Sequence, residues 1–421
     1  MKSYPKYLEN LFFFCLLIPF FFTINGEIFT TRNFTNNFDR NIFNVPLPLS
    51  LFFISAYSIF LFIYHKKDIF KNITFKFAFI VFSILFLFNF VFGHYHKLIF
   101  IAQYFLPWLG LLVGYFFWKK TNFNIIFYFL ILIYILQIFN CIIEKKFFLL
   151  SDFYFFSIYQ HYQYVVVVFV FLSIITSLNL SNNEKFKFFI LNFLTLIVSI
   201  LSYSLSAILF QLFFIFFYLF KYILIQKKIN FKILLLLISI SVILVSYILI
   251  IKNLSDRKYL LTDYLLDKDR REYHTYIRKM DDVLNFKTPP NITLRLEIWS
   301  NYFSKITNNY KILLFGSEDF QLDNQSAKTE GSVNMPFKSA HNLFLDLIYR
   351  FGILSITPYI LLIFNLCNQI LKNKNSIFLR NSLFFLVIFL LLENFIKLPL
   401  RQPYSGLIIM FFCGYFLKDR S

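Results

Sequence analysis

Apolar residues run along this chain in blocks too long for a soluble core, and polar residues gather at the joints between them. A bilayer core takes roughly 17–25 apolar residues per helix, and by that ruler the blocks predict about twelve spans. They lie near Leu8–Ile24, Leu47–Tyr64, Phe75–Phe92, Leu98–Trp118, Phe123–Ile143, Gln163–Leu180, Phe186–Ser202, Leu205–Ile225, Phe231–Ile251, Leu343–Leu371, Ile377–Phe395 and Gln402–Leu417. Only Ser202-Tyr203-Ser204 separates the pair between Phe186 and Ile225, which reads as two short helices or one bent hairpin. The first block follows Lys2 and Lys6, as in a signal peptide. It contains Pro19 and bulky Phe and precedes no small-residue cleavage pattern, so a retained span is expected.

The joints orient the blocks. Lys66, Lys67, Lys71 and Lys76 share one connection, and Lys119-Lys120, Lys185 with Lys187, Lys227-Lys228 and Lys372 with Lys374 mark others. Lys2, Lys6, Lys418 and Arg420 fall on the same side, whereas Gly93–Lys97 carries one lysine and the Tyr203 turn none. The positive-inside rule then puts both termini in the cytoplasm and the long segment after Ile251 in the periplasm. The fold class expected is an all-α polytopic membrane protein, with about twelve transmembrane helices and one large, partly helical outward-facing loop, periplasmic in an envelope bacterium. The organisation expected is a transmembrane bundle over 1–251, the loop over 252–341 and further transmembrane helices over 342–421.

Composition agrees. The 421 residues are 58% hydrophobic and 15% charged, against about 25% charged in soluble domains. A net charge of +19 in a soluble protein would point to nucleic acid. Here the lysines sit in the joints and leave no basic stripe on a soluble face, so no nucleic-acid partner is expected. Cys15, Cys141, Cys367 and Cys413 fall in or at the ends of apolar runs without metal spacing and read as small hydrophobes.

The loop is too long for a plain connection, which marks it as functional or disordered. Leu260-Leu261, Tyr264-Leu265-Leu266, Tyr273, Tyr276-Ile277 and Met280 recur at near-helical spacing and predict an amphipathic helix. Pro289-Pro290 ends it, and a second helix is predicted from about Thr293 to Ile306. Lys311–Phe315 is a short apolar stretch closed by Gly316, and Ser317–Lys338 reads as irregular.

Candidate chemistry clusters where the loop ends. In the second loop helix Arg295, Trp299, Tyr302 and Ile306 share a face. The Arg295–Trp299 pair fits a surface cation–π contact or a guanidinium placed to give two bonds to a pyrophosphate. His341 stands where the polar loop meets an apolar helix, followed by Asn342 and Asp346. Arg350, read as inside that span, would cost roughly 2.5–3.5 kcal/mol at a helix centre. It should therefore be paired, as with Asp346 one turn earlier, or face a cavity. Glu393 and Lys397 repeat the spacing at the outer end of the next span, Arg401 opens the last, and Arg32 and Arg40 are candidates for steering an anion. His94-Tyr95-His96 and His161 have no accompanying carboxylate or cysteine, so no metal is expected there. No Gly-rich phosphate loop, GxSxG elbow or HExxH occurs, which leaves ATP-driven transport and serine or zinc hydrolysis without support.

Three pieces in this order, Leu294-Arg295-Leu296-Glu297-Ile298-Trp299, then Leu313-Leu314-Phe315-Gly316, then His341-Asn342-Leu343-Phe344-Leu345 with Gly352 downstream, resemble the O-antigen polymerase and ligase family. These are bacterial membrane glycosyltransferases of the envelope. The resemblance implies transfer of a glycan from a polyprenyl pyrophosphate carrier to a hydroxyl acceptor, with the lipid bilayer and a chain-length regulator as candidate partners and no cofactor. It implies His341 as base, Arg295, Arg350 and Arg401 as pyrophosphate ligands, and Trp299, Asn342, Asp346 and Glu393 in support. The chain departs from the family at Ser204-Leu205-Ser206-Ala207, where an arginine often stands and leucine is found. Arg257, Arg270, Arg271 or Arg278 are candidates to replace that charge. Polymerase is the first reading and ligase, with lipid A-core as acceptor, the second. A lipid-linked oligosaccharide flippase is the third, although no internal repeat of the transporter kind is visible.

Overall fold

A computed structural model of the chain describes residues 56–61, 63, 69, 71–116, 123–143, 162–180, 185–201, 205–226, 290–317, 340–372, 377–396, 400 and 403–418. Every element of more than one turn among them is helical, with no strand. Three stretches are long and apolar enough to cross a membrane by length and composition: Ile73–Val91, Tyr95–Phe116 and Ile353–Lys372. Shorter apolar helices cover Phe123–Leu136, Val166–Leu180, Phe186–Ile200, Ser206–Phe220 and Ser405–Leu417. The expected spans Leu8–Ile24 and Phe231–Ile251 and the amphipathic loop helix near 260–280 lie outside the described residues.

The helices fall into two compact units, each described by itself. In the first, α1 (Ile73–Val91) begins where the Asn72 side chain accepts the Phe75 N–H at 3.1 Å, a standard N-cap. It ends in a turn through Gly93, whose φ of +74° suits a residue without Cβ. α2 (Tyr95–Phe116) runs back against it, with the Phe82 ring edge-on to Phe105 at 5.6 Å. The last helix, α12 (Pro403–Leu417), packs on α2 backbone to backbone. A Cβ at Gly110 or Gly114 would strike the carbonyls of Leu407 and Phe411, and one at Gly414 would strike that of Leu111. In lipid, such close approach supplies the van der Waals contact that replaces a hydrophobic driving force between helices.

The same unit holds α7 (Pro290–Asn308, from Arg295 onward), α8 (Tyr310–Phe315), α9 (Leu343–Phe351), α10 (Thr357–Lys372) and α11 (Ile377–Ile396). Here one expectation is corrected. Leu343–Leu371 is not a single span: α9 stops at Gly352, a 3-10 turn covers Ile353–Ile356, and α10 starts afresh at Thr357. Gly352 has φ +81°, which breaks the α-helical course. Pro358 therefore sits in the first turn of α10, where a missing N–H costs nothing, rather than at a kink. Asn365 Nδ2 donates to Thr74 Oγ1 at 2.7 Å and ties α10 to α1.

The second unit comprises α3 (Phe123–Ile143), α4 (Tyr162–Leu180), α5 (Lys185–Leu201) and α6 (Leu205–Gln226). The ambiguous pair is thus two helices. A neutral polar seam runs through them: Tyr134 Oη lies 2.8 Å from Ser173 Oγ, and Thr195 Oγ1 donates to Ser173 at 3.0 Å. Asn192 donates to Ser177 at 2.9 Å and Gln211 to Asn192 at 2.8 Å. Interhelical bonds of this kind hold apolar helices together where burial from water does not.

Candidate functional site

Six of the site residues singled out from sequence, Arg295, Trp299, His341, Asn342, Asp346 and Arg350, lie on α7, α9 and the turn before α9. α7 opens with Pro290 at its first position and extends to Asn308, a little beyond the predicted Thr293–Ile306. It buries Ile298, Tyr302 and Ile306. Arg295 and Trp299 are half-buried beside that row. The Tyr302 ring meets Tyr349 of α9 edge-on at 4.8 Å.

The short α8, capped by the Asn309 side chain on the Lys311 N–H at 3.0 Å, ends at Gly316 with φ +84°. Its end and the end of α9 interlock. A Cβ on Gly316 would collide with the carbonyl of Arg350, and a Cβ on Gly352 with that of Leu314. Ser317 N–H donates to the Tyr349 carbonyl at 2.6 Å, closing the seam. Two glycines distant in sequence thus meet for one reason: two helix ends share a space too narrow for a side chain.

At the other end of α9, Asn342 is the N-cap, its side chain accepting from Phe344 N–H at 3.0 Å and Leu345 N–H at 3.2 Å. His341 precedes it with φ +50°, the one non-glycine residue with positive φ among the described residues. A left-handed conformation is uncommon for a residue with a Cβ and persists where the surroundings impose it. The surroundings here are specific. The peptide of Ala340 is held at both ends: its N–H donates to Asp346 Oδ1 at 3.2 Å, and its carbonyl accepts from Trp299 Nε1 at 2.9 Å. His341 itself is half-buried.

Asp346 is the hub. Its second oxygen, Oδ2, accepts from Tyr104 Oη of α2 and lies 3.0 Å from Arg350 Nε, with both charged side chains almost fully enclosed. The Arg350 guanidinium also sits 5.1 Å from the centre of the Phe100 ring of α2, within cation–π range. Arg350 thus occupies the last turn of a nine-residue helix, in an ion pair, where the sequence placed it deep in a long span. The charges suit their ends of α9, the acid in the first turn and the base in the last.

Of the other expected residues, Glu393, His94 and His96 fall among the described ones. Glu393 is buried in the last turns of α11, which packs on α9, and its Oε2 has no hydrogen-bond partner among the described residues. Arg401, Lys397, Arg32, Arg40, Arg257, Arg270, Arg271, Arg278 and His161 lie outside the described residues. His94, in the turn before α2, and His96, in the first turn of α2, lie edge-on at 6.2 Å, and no cluster of metal-ligating side chains occurs among the described residues. Sequence reasoning missed Tyr104 and Phe100. The available signal was a tyrosine inside an apolar span, which a bilayer leaves without a partner unless the protein supplies one.

Residues 190–360 match the family model described as O-antigen ligase. That stretch is less than half of the chain. It contains Arg295, Trp299, His341, Asn342, Asp346 and Arg350, and it excludes Tyr104, Glu393 and Arg401. No curated protein matches the chain.

Proposed function

We propose that the chain, whose residues 190–360 match the O-antigen ligase model, transfers a glycan from a polyprenyl pyrophosphate carrier to a sugar hydroxyl at the periplasmic face of the inner membrane. The match supports a membrane enzyme of O-antigen assembly that acts on lipid-linked glycans. The observation that carries the reading is the bond from Trp299 to the Ala340 carbonyl. It fastens the helix bearing Arg295 to the turn that presents His341.

The chemistry asks for two things at one place. As the glycosidic C–O bond breaks, negative charge grows on the departing pyrophosphate, and a guanidinium already in position stabilises it more than it stabilises the ground state. As the new C–O bond forms, the acceptor hydroxyl must lose its proton, and an imidazole with a reference pKa near 6.5 is suited to accept it at neutral pH. In this reading His341 takes the proton and Arg295 grips the pyrophosphate, with Arg401 as its partner. Arg350, the further ligand expected from sequence, is ion-paired with Asp346 and lies over the Phe100 ring and assists Arg295 from there, with buried Glu393 in support.

The acceptor distinguishes two enzymes. The match to an O-antigen ligase model favours lipid A-core; the Asn342–Asp346 continuation after His341 is the more polymerase-like, with a second lipid-linked repeat as acceptor. A gel of surface polysaccharide from a deletion strain separates them. Bare core with accumulated lipid-linked polymer marks the ligase, and core carrying a single repeat marks the polymerase. Unchanged polysaccharide, or purified protein that moves a lipid-linked sugar across vesicles without joining it to an acceptor, contradicts both.

A further inference from the structure

We propose that Tyr104, on α2 and outside the stretch matched by the family model, is a positioning residue for His341 acting through Asp346; the proposal rests on the reading of His341 as the base. The observations form one connected path. Tyr104 Oη donates to Asp346 Oδ2, and the other oxygen of the same carboxylate accepts the Ala340 N–H at 3.2 Å. Ala340 is the residue before His341, whose φ of +50° must be imposed by its neighbours. A carboxylate rotates freely about its last bond unless both oxygens are engaged, and Oδ1 faces Ala340 only while Oδ2 is held. Arg350 Nε shares Oδ2 at 3.0 Å, but it comes from the same helix as Asp346 and moves with it. Tyr104 belongs to a different element, one locked to α12 by glycine-backed contacts at Gly110 and Gly114. Its hydroxyl therefore ties the His341 turn to a helix packed backbone to backbone on α12.

Tyr104 also makes contacts through its ring and its backbone. Its ring lies edge-on to Phe351 at 6.1 Å, and its carbonyl accepts from Tyr359 Oη at 3.3 Å. Neither contact needs the hydroxyl. The substitution Tyr104→Phe thus removes the hydrogen bond and leaves the packing.

The test uses purified full-length protein with a lipid-linked glycan donor, alongside His341→Ala. In Tyr104→Phe, kcat should fall on the order of ten-fold, the scale expected of a misplaced catalytic group, while the donor KM stays put. Amide exchange at Ala340 should quicken while that of α2 and α12 is unchanged. Placed in an Asp346→Asn background, Tyr104→Phe should add little further loss, because both act on one bond. A wild-type kcat and unchanged Ala340 exchange in Tyr104→Phe, or losses that simply add in the double variant, overturn the proposal. If His341→Ala keeps its activity, the base assignment fails instead, and the exchange rate at Ala340 then decides the linkage from Tyr104 on its own.

Discussion

Two groups of polar side chains are buried in the apolar helices of this chain, and they are built on opposite plans. In α3–α6 the group is neutral: Tyr134, Ser173, Thr195, Asn192, Ser177 and Gln211 share short hydrogen bonds between neighbouring helices. Several also return a bond to their own helix one turn earlier, as Thr195 does to the Leu191 carbonyl at 2.6 Å. Around His341 the group is charged and converges on one carboxylate, next to a backbone held at positive φ. The first plan is inexpensive and distributes its bonds; losing one leaves the others. The second concentrates ionised groups away from water, where the desolvation penalty is several kcal/mol per ion unless the pairing is good. A fold tolerates that cost where the placement of a particular group matters. That contrast supports the proposal that the charged Asp346 cluster, and not the neutral seam, is the part tied to chemistry.

The contrast is tested most severely by Asp346→Ala, which strands Arg350 in an enclosed site. A loss of about 3–5 kcal/mol is expected, read as a lower melting temperature in detergent and a reduced amount of protein in the membrane, with transfer abolished. Gly352→Ala comes next. It puts a Cβ against the Leu314 carbonyl at a left-handed φ, and strain of about 1–3 kcal/mol is expected, measured in the same melt, with activity falling in parallel. Trp299→Phe keeps an aromatic body and loses the bond to the Ala340 carbonyl. It should cost about 1 kcal/mol of stability but a disproportionate share of the transfer rate, which compares kcat with the melt. Ser173→Ala in the neutral seam should cost only about 0.6 kcal/mol and leave kcat at the wild-type value. A large kcat loss there would erase the distinction between the two plans.

Much of the helical layout is visible in the hydrophobic blocks, because a bilayer demands apolar length and little else. The pair Lys185–Leu201 and Leu205–Gln226 and the loop helix from Pro290 follow from that pattern and from proline placement. The break at Gly352 does not. Hydropathy runs unbroken from Leu343 to Leu371, and the cause of the break is the approach of Gly316 from the loop, a tertiary contact no local window contains. The ion pair of Asp346 with Arg350 was legible from its i, i+4 spacing, whereas the third member, Tyr104, is separated from Asp346 by most of the chain. The glycines of α2 carried a readable signal, Gly110 and Gly114 at the spacing that lets helices touch, but what they touch, α12, is a fact of the fold.

The most direct test of the account is the rate at which purified His341→Ala protein transfers glycan from a polyprenyl pyrophosphate donor. Loss of a positioned general base should slow the reaction by about 10²–10⁴-fold, with membrane insertion and melting temperature retained because the Ala340 peptide keeps its bonds to Trp299 and Asp346. Transfer at the wild-type rate in that variant would contradict the account.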